Sequence, residues 1–76
     1  MTNVMNQSII KSLSRDDMID VIERIYDILG YEYDFYSAQN FTDEDIRNDL
    51  SKCIKLVGYQ VYLDVYMNML QSRLDR

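Results

Sequence analysis

From Tyr59 to Leu74 the chain is polar at Gln60, Asp64, Asn68 and Gln71, and nearly everything else is apolar. Wound as a helix, those four positions and Asp75 share an arc of about 80° at 100° per residue. Tyr59, Val61, Tyr62, Leu63, Val65, Tyr66, Met67, Met69, Leu70 and Leu74 spread over roughly two-thirds of the circumference. A helix so apolar must be covered from more than one side. That demand is severe in a chain of 76 residues. A domain this short buries only about 60% of the surface its unfolded form exposes. Small domains usually add a disulfide, a metal or a partner chain. Cys53 is the one cysteine and histidine is absent, so an internal disulfide is impossible and the commonest zinc ligand is missing. A partner chain is what remains.

The rest of the chain reads as helices separated by capping signals. Residues 1–13 carry Val4, Met5, Ile9, Ile10 and Leu13 among polar residues, which predicts a short helix or a docking arm. Ser14 opens a helix over 15–29, with Asp17 approximating a capping box and Asp16 and Asp17 facing the positive end of the dipole. Met18, Val21, Ile22, Ile25, Tyr26, Ile28 and Leu29 occupy one half of its wheel, and Gly30 stops it. Residues 31–41, YEYDFYSAQNF, alternate aromatics with acids. No second alternating run exists to pair with them, so an ordered connector loop is expected, with some aromatics tucked under the helices. Thr42 and Asp45 form a second capping box ahead of a helix over 43–57, with Ile46, Leu50, Cys53, Ile54 and Val57 at helical spacing. Gly58 is expected to break or kink the path into the last helix, 59–74.

The resulting fold expectation is all-α: a helical hairpin or three-helix bundle, dimerising along its C-terminal helix. Leu56, Tyr59, Leu63, Tyr66 and Leu70 form a stripe at heptad spacing and are the candidate seam with a second copy or a partner, the alternative being that the whole stripe lies inside a three-helix core. Tyrosine combines large contact area with a polar tip, so Tyr33, Phe35, Tyr36 and Tyr62 are further candidates for contact with a partner.

The residues argue against several chemistries. Without histidine there is no Ser–His or Cys–His pair, and Cys53 on an apolar helix face reads as a small buried hydrophobe. No phosphate-binding glycine loop is present. Asp43, Asp45 and Asp49 resemble the start of a calcium loop, but the required glycine and closing glutamate are missing. No enzyme, cofactor or metal is expected. No apolar run approaches the length of a membrane span, and the start, MTNVMNQSIIK, lacks an export signal. A cytoplasmic location is expected.

The formal net charge is −5. It disfavours direct binding of nucleic acid, and acids surround the possible cationic group Arg47, Lys52 and Lys55. Asp16, Asp20, Glu23 and Asp27 run along one helix face, and the connector adds Glu32 and Asp34. They read either as an ordinary solvated face or as a nucleic-acid mimic that fits a basic groove, as in a phage or mobile-element inhibitor. A DNA-associated regulator is the third reading.

Residues 45–74 read DIRNDLSKCIKLVGYQVYLDVYMNMLQSRL. Through Ile46, Leu50, Asp64, Val65, Leu70 and Leu74 this segment resembles the C-terminal half of the YmgB/AriR family of small enterobacterial regulators. The resemblance implies a homodimer joined along the last helix, acting as a connector on a regulator.

Overall fold

The computed structural model describes residues 13–74. These contain four helices and no strand: α1 (Arg15–Leu29), α2 (Phe35–Ala38), α3 (Asp43–Val57) and α4 (Tyr59–Leu74). The three long helices all pack on one another, so the architecture is a three-helix bundle with one extra turn, α2, in the connector. Except for Leu13, the expected N-terminal helix or arm lies outside the described residues.

Local chemistry sets the ends of each helix. Ser14 Oγ accepts the Asp17 amide at 3.1 Å and starts α1. The reciprocal half of that capping box does not form, because the Asp17 carboxylate is drawn away to Arg73 at 2.6 Å. Gly30, at φ 85° and ψ 22°, ends α1 in the left-handed region. Tyr31 N–H donates to Tyr26 C=O at 2.8 Å and Gly30 N–H to Asp27 C=O at 3.1 Å, satisfying the last carbonyls. At α3 the capping box is complete: Thr42 Oγ1 accepts the Asp45 amide at 3.1 Å and Asp45 Oδ2 accepts the Thr42 amide at 3.0 Å.

The connector is more structured than a loop. Asp34 Oδ1 accepts the Ser37 amide at 3.1 Å and Asp34 Oδ2 the Ser37 hydroxyl at 2.6 Å, which nucleates the single turn of α2. Those bonds hold the Asp34 carboxyl below its ordinary range. Arg15 ties the segment down, donating to Asp43 Oδ1 and to Ala38 C=O, both at 2.8 Å.

Gly58 breaks the chain between α3 and α4. Its φ of 92° and ψ of 156° lie in a region that L-residues scarcely enter. Its N–H still donates to Ile54 C=O at 2.8 Å, and its C=O accepts the Tyr62 N–H at 3.1 Å. One residue thus closes one helix and opens the next. The core is formed by Met18, Val21, Ile22 and Ile25 of α1, Ile46, Leu50, Cys53 and Ile54 of α3, and Tyr62, Val65 and Met69 of α4, with Leu13 and Ala38 at its margin. No helix among the described residues is long and apolar enough to cross a membrane.

Candidate protein interface

Tyr62, Val65 and Met69 define the line of α4 that faces the core. At 100° per residue, Tyr59, Leu63, Tyr66, Met67, Leu70 and Leu74 all fall to one side of that line. Tyr59, Leu63 and Tyr66 are half-buried and pack against the core edge. Leu70, Met67 and Leu74 are 37%, 64% and 82% exposed. The bundle therefore covers one stripe of α4 and leaves a continuous apolar flank beside it. Four residues of the expected seam lie on this flank. Met67 and Leu74 belong with them, although heptad spacing alone passes over both.

Leu56 does not. The expected stripe ran through Gly58 as if the helix continued, and the break there sends Leu56 elsewhere. It stands 73% exposed on α3. It borders a separate groove of about 430 Å³ with Tyr26, Leu29, Tyr31 and Cys53.

The other contact candidates divide in the same way. Phe35 and Tyr36 are 45% and 83% exposed, and Tyr33 is half-buried. Tyr62, expected to meet a partner, is fully buried. Its ring lies 6.0 Å from that of Tyr59 and 6.3 Å from that of Tyr66. The residue sits at the centre of the line α4 turns to α1 and α3, where no partner can reach it. Burial pushes its phenol pKa up to about 12. The Cys53 thiol is likewise raised to about 11, chiefly by burial and then by Asp49, so it stays protonated and unreactive near neutrality.

The acidic row on α1 is interrupted. Asp16, Glu23 and Asp27 are exposed. Asp20 instead accepts Arg24 Nε at 2.8 Å and pairs with Arg73 at 3.4 Å. Arg73 thereby clamps the end of α4 onto the start of α1 through Asp17 and Asp20, and the hydrogen bond to Asp17 raises its pKa. Among the described residues no group of three acids or thiols is placed to hold a metal ion.

Along the acidic row, the connector lies beside the C-terminal half of α1 and leaves an open groove of about 550 Å³. Asp20, Glu23, Arg24 and Asp27 form one bank; Tyr31, Glu32, Tyr33 and Phe35 form the other. No family model matches the chain, and comparison with curated proteins and with solved structures gives no match either.

Proposed function

We propose that this chain is a small non-enzymatic regulatory protein of the cytoplasm that works by protein–protein contact, and that it joins a second copy of itself along α4. The apolar flank of α4 carries this reading. It runs the length of a 16-residue helix, and none of its six residues bears a charge. Two copies with net charge −5 repel one another over most of their surface, so an uncharged strip is where they approach most closely. The strip is narrow, which favours a reversible dimer over an obligate one. The resemblance of residues 45–74 to the YmgB/AriR family supports the same arrangement, a homodimer joined along the last helix and serving as a connector on a regulator.

Nucleic-acid mimicry by an inhibitor has less support, because Arg24 and Arg73 interrupt the acidic row at Asp20. Direct DNA binding has less still. Of the eight cations in the chain, Arg15, Arg24 and Arg73 are held in ion pairs.

Sedimentation velocity over a concentration series tests the dimer. The wild type is expected to shift from monomer to dimer between micromolar and millimolar protein, and Leu70→Glu with Leu74→Glu to remain monomeric and folded. These exposed positions serve better than Leu63→Asp, since Leu63 also packs on the core and its replacement would lower the stability of the fold along with that of the dimer. A wild type that stays monomeric at millimolar concentration overturns the proposal.

A further inference from the structure

The groove between α1 and the connector combines two features that arise independently. The first is charge. Arg24 is spent on Asp20 at 2.8 Å and on Ser72 Oγ at 3.3 Å. Glu23, Asp27 and Glu32 have no ion-pair partner among the described residues, so the groove is left strongly negative. The second is an aromatic wall held in place before any ligand arrives. Tyr26 and Tyr33 are packed against the core. Tyr33 holds Phe35 edge-to-face with ring centres 5.3 Å apart, and Tyr26 holds Tyr31 at 6.4 Å. Phe35 and Tyr31 nevertheless stay 45% and 67% exposed.

Few ligands satisfy both features. An anion is repelled. A purely apolar segment would strip water from three carboxylates and return nothing to them. A lysine ammonium meets the carboxylates as a compact point charge, strongly hydrated, and gains less from a flat ring. A guanidinium forks onto a carboxylate through its edge and stacks on an aromatic ring through its face. The groove is open along its length, which suits an extended segment better than an enclosed small molecule.

We propose that this groove docks an arginine-bearing segment of a partner protein. The site uses α1 and the connector and shares no residue with the α4 flank, so it stands whether or not the chain dimerises.

Fluorescence anisotropy of a fluorescein-labelled six-residue peptide with two arginines, at low ionic strength, tests the proposal. The wild type is expected to bind it more tightly than the matching lysine peptide. Glu23→Gln with Asp27→Asn should weaken binding about fivefold, from two exposed charge contacts. Phe35→Ala, which leaves net charge unchanged, should weaken it about threefold. Tyr31→Ala serves as the second aromatic variant if α2 is disturbed, and circular dichroism checks the fold of each. Glu44→Gln with Asp64→Asn removes the same charge from exposed positions outside the groove and should change binding less than twofold. Equal weakening by the two charge-removing pairs, indifference to both aromatic changes, or equal displacement by spermidine would show unspecific attraction to an acidic chain and overturn the site. So would an absence of binding at millimolar protein.

Discussion

Replacing Tyr62 with phenylalanine deletes one oxygen from the middle of the bundle and leaves the ring in place. The side chain has no exposed surface, and its Oη has no hydrogen-bond partner among the described residues. A buried hydroxyl without a partner costs about 1–3 kcal/mol in lost hydration. The ring keeps its neighbours Tyr59 and Tyr66, so no cavity opens beyond the volume of the oxygen. Tyr62→Phe is therefore expected to stabilise the fold by about 1–2 kcal/mol at pH 7, raising the melting temperature by roughly 4–8 °C per kcal/mol for a domain of this size. Alkaline pH supplies a second readout. Burial raises the phenol from its ordinary 10.0 to about 12, so the folded protein holds that proton more tightly than the unfolded chain does. The stability tied to it is complete below pH 10 and is lost as pH climbs from 10 to 12, at up to about 1.4 kcal/mol per pH unit. Phenylalanine has no such proton. Urea unfolding followed by far-ultraviolet circular dichroism at pH 7, 9, 10 and 11 should therefore show the two proteins diverging further above pH 10. The residual decline of the variant begins near pH 9, where the Cys53 thiol, raised to about 11, adds its own share. Destabilisation by the substitution at pH 7 would show that the hydroxyl is bonded, and parallel curves above pH 10 would show that it is hydrated; either result would refute the reasoning.

Other substitutions test the helix ends and the thiol. Thr42→Ala removes half of the α3 capping box and should cost about 1 kcal/mol in urea unfolding. Gly58→Ala meets no neighbouring atom within 4 Å, so its expected cost of about 1–3 kcal/mol comes from backbone conformation alone. Asparagine should not rescue position 58. At Gly30, in the left-handed region, asparagine should be tolerated better than alanine, as paired thermal melts would show. Cys53 should resist Ellman's reagent at pH 8 in the native protein and react at once in urea, because it is 3% exposed and its pKa is raised to about 11.

The elements legible in the sequence are those specified within a few residues. Ser14, Thr42, Gly30 and Gly58 mark helix ends because a cap joins groups three or four positions apart. The α2 turn carried the same kind of signal, Asp34 three residues before Ser37, but the alternating aromatics around it drew the reading toward a loop. What stayed hidden depends on the third helix. Tyr62 and Tyr66 differ by one turn on α4, yet the first is enclosed and the second is half-exposed, and only the placement of α1 and α3 separates them. The pairing of Asp17 and Asp20 with Arg73 crosses the whole chain, so the acidic row looked uninterrupted. Leu56 appeared to extend the seam because a wheel drawn through Gly58 assumes a continuous axis. Glu32 and Tyr31 stood in plain view within the connector, but the groove they complete with α1 exists only once the two segments lie side by side.

Without the turn at Gly58, α3 and α4 would run on as one rod from Asp43 to Leu74. A rod of about 32 residues is roughly 48 Å long at 1.5 Å per residue. The molecule measures 33 Å along its greatest extent. On such a rod Tyr62, Val65 and Met69 would lie more than a quarter-turn round from the face that Ile46, Leu50 and Cys53 turn to the core, and would lose their place against α1. The return of α4 onto α1 thus hinges on a backbone bend that glycine takes up at little cost and other residues do not.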